Sequence, residues 1–283
     1  MKRPDLLPCM FAAALALLSP VTAQQPAKAD PAKLEAWPTL KEADREKVLP
    51  LLDLVRKVDS PQHDSAHKQL VAMGDAAVPL ILQQIHDRND NSNAPYLALL
   101  DQALGKQHAA LMAREVKKPK VELRRYLMQR LCRFGDTSLK AVFESGRKEK
   151  DEQTAFFATL GLLGLKQRDA LEPVLAYTRS HWSEVAPIVA EALAGARAQD
   201  CGNWVFELIA KAQPADQMAG LRLLRHLMVK EQAVILRTYL ESPDHTVKRE
   251  AVNTARVLHG EAPIETLSVF QAIEQAKQWL KKL

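Results

Sequence analysis

Apolar residues recur along most of this chain at the three- and four-residue spacing of an amphipathic helix, as in Ala66, Leu70 and Met73. No run shows the strict apolar and polar alternation that is typical of a half-buried strand. Most helical runs end at a glycine, and a second apolar run of the same kind follows. The pattern therefore predicts an all-α protein that is built from pairs of helices.

Glycines set the period of this pattern. The successive gaps between six of them are 31, 30, 29, 31 and 65 residues, and the last gap is two periods with one glycine missing near Met228. A constant step of this length is typical of stacked helix-pair repeats, of which we expect about seven. Because glycine accepts the left-handed conformation that closes a helix, we expect that conformation at these positions. The six residues are Gly74, Gly105, Gly135, Gly164, Gly195 and Gly260.

Capping residues and prolines predict where the helices begin. Thr39 and Glu42 have the spacing of a capping box before an opening helix. Ser60 and Ser242 each precede a proline that is suited to the first helical position. The helix runs of the predicted pairs are 60–74 and 75–85, 95–104 and 107–116, 119–134 and 137–145, 152–163 and 169–178, 184–194 and 202–212, 214–228 and 232–240, and 242–260 and 268–280.

The N-terminus has the organisation of a secretory signal. A positively charged start precedes an apolar stretch from Leu6 to Leu18, and cleavage is expected after Ala23. We therefore expect a signal peptide over 1–23, a flexible proline-rich linker over 24–38 and a helical domain over 39–283. A retained anchor is the alternative, although the apolar stretch is short for a spanning helix. The prediction is an exported protein, periplasmic or extracellular, with no membrane span after cleavage.

Cysteine usage agrees with a large core rather than with a disulfide-stapled fold. Cys132 and Cys201 remain after signal cleavage. In a stacked array they lie about two repeats apart, well beyond the ~7 Å Cα separation that a disulfide allows. We expect both to be buried free thiols, even in an oxidising compartment.

One segment of the chain carries a family resemblance. It reads Ala66-His-Lys-Gln-Leu-Val-Ala-Met-Gly-Asp-Ala-Ala-Val-Pro-Leu-Ile81. This segment resembles the HEAT-repeat family, in the short form of about 30 residues also found in phycobilisome lyase-like proteins. Over residues 60–283 the resemblance implies a right-handed α-α superhelix, a HEAT-like or armadillo-type solenoid, whose second helices line a concave face that holds partners. The lyase-like part would suggest bilin attachment, but no other residue pattern supports that activity.

A basic segment covers residues 114–133. It holds eight cations and two acidic residues in twenty positions, whereas the whole chain has a formal net charge of only +5. Such a segment is suited to an acidic polysaccharide, an anionic surface or nucleic acid, of which export disfavours the last. A solvated outer helix face is the alternative. The cations are Arg114, Lys117, Lys118, Lys120, Arg124, Arg125, Arg130 and Arg133.

Four aromatic residues of the later repeats are candidate contacts for a protein partner. They are Tyr177, Trp182, Trp204 and Tyr239. Exposed aromatic side chains on a concave face are common binding anchors. The alternative is that they pack at helix junctions as part of the core.

Metal and catalytic motifs are weak in this sequence. His63 and His67 have the four-residue spacing of metal ligands but lack a third ligand. Asp87 to Asn93 resembles the start of a calcium loop, without its turn glycine or bidentate glutamate, and a polar connector with Asn93 as a helix cap is preferred. No nucleophile elbow, phosphate-binding loop or dinucleotide fingerprint occurs. We therefore expect no metal, no cofactor and no catalytic residue.

Together these features predict a non-catalytic scaffold or adaptor. It would bind a protein partner through the concave face of a HEAT-like solenoid, with the four aromatic residues as candidate contacts. The alternative is an anion-binding module that uses the basic segment, above all Arg124, Arg125, Arg130 and Arg133.

Overall fold

The computed structural model describes residues 34–88 and 91–283. These residues belong to one compact unit, Ala32–Leu283. The predicted signal peptide and residues 24–33 of the predicted linker lie outside the described ranges. Residues 34–38, which the sequence assigns to the same linker, contact the helical unit through the main chain of Leu34 and the ring of Trp37.

The described part of the chain is all-helical, with 74% helix and no strand, which confirms the prediction of an all-α protein. Its fourteen α-helices are α1 Glu42–Arg56, α2 His63–Ala72, α3 Val78–Gln84, α4 Ala94–Ala103, α5 Ala109–Glu115, α6 Val121–Leu131, α7 Lys140–Gly146, α8 Glu152–Gly164, α9 Leu171–Ala192, α10 Gln199–Ile209, α11 Pro214–Leu227, α12 Arg237–Leu240, α13 His245–Leu258 and α14 Val269–Lys282. Short 3-10 segments precede several of them, including Gly74–Ala76, Lys106–His108, Thr137–Leu139 and Arg168–Ala170.

Helices contact their neighbours in two ways. The second helix of a predicted pair packs against the first helix of the next pair, as α3 does against α4, α5 against α6, α7 against α8 and α10 against α11. The first helices of several predicted pairs also contact one another directly, as α6 does with α8 and α11 with α13. The buried apolar core runs through all of these contacts, from Val48 in α1 to Trp279 in α14.

Helix α9 departs from the predicted boundaries. The sequence predicts separate runs over 169–178 and 184–194, whereas the structure has one helix, Leu171–Ala192, with a bend at His181. His181 has φ −118° and ψ 18°, which is outside the helical region. The boundary between the two runs is therefore present as a bend rather than as a loop.

Three of the six repeat glycines adopt the predicted left-handed conformation. Gly74 and Gly135 have φ 58°, and Gly260 has φ 81°. The prediction is wrong for Gly105, which has φ −121°, and for Gly195 and Gly164, neither of which has a positive φ. Gly164 is the last residue of α8. Lys166, two residues later, takes the left-handed conformation instead, with φ 60°.

The predicted caps lie a few residues from the helix starts. Thr39 does not cap α1, which begins after Lys41. Ser60 and Ser242 do not cap α2 and α13; each hydroxyl accepts from the main-chain N–H two residues later, at 3.3 Å and 3.2 Å. The cap of α13 is Asp244, whose carboxylate accepts from two main-chain N–H groups of the first turn.

Ser268, the first residue of the last predicted run, caps α14, and its hydroxyl accepts from the N–H of Gln271 at 3.2 Å. Asn93, the predicted cap of α4, precedes that helix but does not cap it. Its side chain instead accepts from the N–H of His86 at 3.2 Å and donates to the carbonyl of His86 at 2.7 Å.

Cys132 and Cys201 are buried free thiols, as predicted. Burial raises the pKa of the Cys132 thiol to about 12. None of the helices in the described ranges combines the length and apolar character needed to cross a bilayer.

Candidate functional site at the bend of helix α9

The bend in α9 lies beside a stack of aromatic rings. The ring of Tyr177 stacks on Phe156 of α8, with centroids 4.0 Å apart and planes at 16°. It also stacks on His181, the residue at the bend, with centroids 4.3 Å apart. The Nδ1 atom of His181 lies 3.1 Å from the carbonyl oxygen of Tyr177. The bend thus holds three rings together at the surface of the helical unit.

Two depressions share Tyr177 as a common wall. The inner depression, of about 240 Å³, lies between α4, α6, α8 and α9, and its lining includes Glu122, Tyr126, Phe157 and Glu184. The outer depression, of about 410 Å³, lies beside α8 and the first half of α9 and is lined by Phe156 and His181 among others. We call the two depressions together the bend site.

Arg125 lines the inner depression but is held in place by carboxylates. Its Nε donates to Asp151 at 2.9 Å and its Nη1 donates to Glu122 at 2.5 Å, while its Nη2 also contacts Asp151. Asp151 caps α8 by accepting from the N–H of Thr154 at 2.9 Å. Hydrogen bonds from Arg125, and after it from Thr154, lower the pKa of the Asp151 carboxyl to about 2. This network ties α6 to the first turn of α8.

The bend site also carries Glu152 and Glu184, while Arg147, the other cation in its lining, pairs with Asp169 at 2.6 Å. Burial raises the pKa of the Tyr177 phenol, and the nearby carboxylates of Glu152, Glu184 and Asp151 raise it further. Neither Glu152 nor Glu184 forms an ion pair with a residue in the described ranges. Their carboxylates lie beside the aromatic rings and remain available to a ligand.

The basic segment is largely engaged within the protein. Lys120 donates to the carbonyls of Gln83 and Ile85, at 2.7 Å and 2.6 Å, and so closes the end of α3. Arg130 donates to the carbonyl of Leu104 at 2.5 Å, just after α4. Basic groups near helix C-termini are stabilised by the carbonyl ends and by the helix dipole. These cations therefore join helices of neighbouring repeats.

The other cations of the segment, with one exception, also have hydrogen-bond or ion-pair partners within the protein. Arg124 donates to the carbonyls of Lys118 and Pro119, and Arg133 pairs with Glu191 at 3.0 Å. Arg114 donates to the carbonyl of Glu35, and Lys118 pairs with Glu115. Of the eight side chains, that of Lys117 alone lacks a hydrogen bond or ion pair to a residue that the structure describes.

Apart from Tyr177, the aromatic residues predicted to contact a partner lie in three different places. Trp182 packs beneath the guanidinium of Arg222, which is 5.4 Å from its ring centroid. Trp204 lines a depression of about 330 Å³ between α9 and α10. Tyr239 is only 2% exposed and packs edge-on against Phe206, so it lies in the core rather than on a surface. The inner depression therefore brings Arg125 and Tyr177 together, while Arg124 and Arg125 line a separate open depression, and none of the other predicted site residues lines either of the two.

The sequence did not single out Phe156, His181 or Glu184 as a group. They become neighbours because α9 bends instead of ending, which places residues on both sides of the bend beside α8. The His181-Trp182 pair between two apolar runs was the available signal. A local pattern cannot distinguish a bend from a loop at such a point.

The histidine pair His63 and His67 does not have the geometry of a metal site. The rings of His63 and His67 have centroids 6.4 Å apart, and His63 Nδ1 lies 2.9 Å from the carbonyl oxygen of Val55. Within the described ranges, no three His, Cys, Asp or Glu residues are grouped closely enough to hold a metal ion. The calcium-loop pattern includes Asn89 and Asp90, which lie outside the described residues.

No protein-family model and no curated protein matches this sequence. The chemistry of the bend site therefore has to be read from its own residues. Those residues supply aromatic surface, buried apolar walls and carboxylates without internal partners. Such a set suits the recognition of a side chain better than it suits bond making or breaking.

Proposed function

We propose that this protein is an exported, non-catalytic scaffold that binds a protein partner at the bend site. The observation that carries the proposal is the pair of depressions that share Tyr177. Aromatic side chains in partly buried pockets are the usual anchors of protein interfaces. Both depressions are near or below the lower end of the volumes, about 300–1,000 Å³, typical of small-molecule sites. They fit inserted side chains better than a cofactor.

The architecture that we propose for this scaffold is a right-handed HEAT-like solenoid of about seven helix pairs. Contacts between first helices, such as α6 with α8 and α11 with α13, support this arrangement. The HEAT resemblance would place the partner on the second helices. The bend site instead lies mainly among first helices, on α4, α6 and α8 together with the bend of α9. The face that binds the partner is therefore a point for experiment.

The non-catalytic assignment is supported by the electrostatics of the carboxylates. The described acids with a shifted pKa are Asp151 and Asp244. Hydrogen bonds lower both pKa values, from Arg125 and then Thr154 in the case of Asp151, and from Thr246 and Val247 in the case of Asp244. A general acid that works near neutral pH needs a raised pKa instead. The ionised caps stabilise helix ends, which is a structural role.

Export is part of the same proposal. We propose that residues 1–23 are removed as a signal peptide. N-terminal sequencing of the protein recovered from the cell envelope or medium tests this, and the expected first residue is Gln24. A mature chain that begins at residue 1 and sediments with membranes would show a retained anchor instead.

Site-specific photo-crosslinking tests the scaffold function and the face that it uses. A photoreactive amino acid placed at Gln153 reports on the bend site, and one at Leu208 reports on the second-helix depression beside Trp204. We expect a discrete adduct with an exported protein from position 153 and none from position 208. Adducts from position 208 alone would move the binding face to the second helices. No adduct from either position would contradict the scaffold function.

The alternative is an anion-binding module. It is favoured by an open depression of about 750 Å³ whose lining includes Arg124, Lys148 and Lys150. We rank it second because Glu149 and Asp151 line the same depression and because Arg124 is engaged by carbonyls. Retention on heparin at increasing salt concentration tests it. A large loss of retention on replacing Lys148 and Lys150 by glutamine would favour the anion-binding module.

A further inference from the structure

The inner depression of the bend site combines aromatic walls with surplus negative charge, and we propose that it binds a lysine side chain of the protein partner. This inference rests on the proposed scaffold function and specifies what the partner inserts. The proposed ligand is a cation, whereas the basic segment of the sequence suggests an anion.

Three aromatic residues line the inner depression. Tyr126 and Phe157 are 7% and 6% exposed, so only part of each ring reaches the cavity, and Tyr177 is half-buried. The hydroxyl of Tyr126 donates to Asp101 at 3.0 Å, which uses its polar end inside the protein. The aromatic surface that remains can attract a cation through its π electrons, an interaction that strengthens where water is partly excluded.

The charge balance of the depression excludes an anion. Arg125 is the only cation in its lining, and its three nitrogens are directed to Asp151 and Glu122. Glu122 and Glu184 line the depression together with this one guanidinium, and Asp151, which pairs with Arg125, adds a third carboxylate beside it. Because Glu184 has no described ion-pair partner, a bound ammonium group would gain an ion pair there without breaking one. An anionic ligand would have to compete with Asp151 for Arg125.

The size and the apolar walls select a lysine. Leu97, Val185 and Ile188 line the depression and can pack against the methylene groups of a long side chain. A volume of about 240 Å³ holds one side chain rather than a peptide segment. A guanidinium has five N–H donors to satisfy, whereas the compact ammonium of lysine has three. Glu184 is the lining carboxylate without a described ion pair, which suits the smaller donor set.

Tyrosine-selective NMR of the full mature chain tests this assignment directly. The protein has four tyrosines, of which Tyr126 and Tyr177 line the depression while Tyr96 and Tyr239 are buried elsewhere. The probe is Nα-acetyl-lysine methylamide, and the control is the norleucine analogue, which lacks the ammonium group. We expect the lysine probe to shift the Tyr126 and Tyr177 signals saturably. The norleucine analogue should shift them by less than a fifth as much at equal concentration.

A charge-neutral variant gives the decisive comparison. Glu184→Gln should raise the dissociation constant of the lysine probe about fivefold, because it removes the ion pair but keeps the shape of the rim. Glu207→Gln is the matched control, since Glu207 is an exposed carboxylate in a different depression, and it should leave the constant unchanged. Equal binding by wild type and Glu184→Gln, or equal shifts from norleucine, would overturn the proposal.

Three further results separate the lysine assignment from a free-amine site and from the scaffold function. If putrescine binds more than tenfold tighter than the lysine probe, the site serves a free amine and the assignment to a partner lysine is wrong. If the lysine probe fails while position 153 still crosslinks to a partner, the scaffold function stands and the lysine assignment falls. If the probe binds but no crosslink forms, the site chemistry stands and the scaffold function falls.

Discussion

At the scale of single residues, two helix ends show how the chain reverses direction. After α13, Gly260 is left-handed, and the N–H groups of Gly260 and Glu261 donate to carbonyls of the last turn at 3.1 Å and 2.9 Å. After α8, the N–H groups of Lys166 and Gln167 make the same pair of bonds, at 2.8 Å and 3.0 Å. Both are Schellman motifs, one with glycine in the left-handed position and one with lysine.

The lysine at this position predicts a stabilising substitution. A side chain in the left-handed region costs about 1 kcal/mol relative to glycine. Lys166→Gly should therefore raise the free energy of unfolding by up to about 1 kcal/mol, and Gly260→Ala should lower it by about the same amount. Urea denaturation followed by circular dichroism measures both. A loss of stability in Lys166→Gly would contradict the motif assigned to the end of α8.

Gly164 has a different role, which leads to a second prediction. A Cβ atom at Gly164 would lie 2.7 Å from the carbonyl oxygen of Ala192, at the end of α9. Gly164→Ala should therefore destabilise the protein by about 1–3 kcal/mol, as overpacking does in other cores. Gly195→Ala is the matched control, because nothing lies within 4 Å of its added Cβ and its φ is not positive. Similar unfolding midpoints for the two variants would contradict close packing at Gly164.

Gly260 and Gly164 show which properties of the glycines could be predicted from the sequence and which could not. The period of about 30 residues gave the spacing of the repeats, because the spacing is a property of the chain alone. The role of Gly164 depends on the carbonyl of Ala192, 28 residues away, and no local pattern reports that contact. The left-handed conformation was therefore predicted correctly at Gly260 and wrongly at Gly164.

At the scale of helices, the ion pair between Arg125 and Asp151 holds α6 and α8 together. Asp151 is placed to do this because it is also the N-cap of α8. Capping fixes the carboxylate, so the ion pair costs less side-chain entropy than a pair between two mobile side chains. By pairing with Arg125, the same carboxylate neutralises the one cation that lines the inner depression. A structural cap and the charge of the candidate site are thus linked.

This link predicts how Asp151→Asn depends on pH. The carboxyl of Asp151 has a folded-state pKa of about 2, below its ordinary value of 3.8, so the unfolded chain binds the proton more readily. The stabilisation is therefore complete above about pH 4 and is lost as the pH falls toward 2. Asn can still cap the helix but cannot form the ion pair, and we expect a loss of about 1 kcal/mol at pH 7 after solvent screening.

Thermal melts of wild type and Asp151→Asn at pH 7, 5, 3 and 2 measure this dependence. The difference between their melting temperatures should be constant down to about pH 4 and should shrink toward pH 2. A second carboxylate variant, Asp216→Asn, is the control, since Asp216 pairs with Arg179 at 2.9 Å at a surface far from this cap. A difference that stays constant through pH 2 would show that the ion pair does not stabilise the fold.

The sequence predicted most of these helices but not their charge partners. Apolar periodicity identified α1, α8 and α13 because one face of each helix is buried in the core. The basic segment suggested either an anion-binding surface or a solvated helix face, because eight cations in twenty residues exceed the acids nearby in sequence. Its partners, such as Glu191 for Arg133 and the carbonyl of Leu104 for Arg130, come from other repeats. Stacking, not sequence proximity, decides how these charges are used.

At the scale of the whole molecule, the segment before α1 lies along the early helices, beside α3 and the connection that precedes α5. The N–H of Leu34 donates to the carbonyl of Gln107 at 3.1 Å, and Trp37 stacks on His108 with ring centroids 5.6 Å apart. His108 is fully buried, and its Nε2 lies 3.0 Å from Asp75. The segment therefore joins the early helices rather than trailing from them.

This arrangement predicts a local effect of Trp37→Ala. Loss of the indole should weaken the packing over His108 and allow the early helices to open more often. Because each repeat of an array contacts only its neighbours, the effect should stay near the site. We expect backbone amides of α3 and α5 to exchange hydrogen about tenfold faster, while those of α11 and α13 keep their wild-type rates.

Hydrogen exchange with mass spectrometry resolves these regions in one experiment. Trp204→Ala is the matched control, because Trp204 is also a half-buried tryptophan but lies on α10. It should accelerate exchange around α10 and leave α3 and α5 unchanged. If Trp37→Ala instead accelerates exchange equally in all helices, the array unfolds as one cooperative unit, and the segment before α1 stabilises the whole molecule rather than its first repeats.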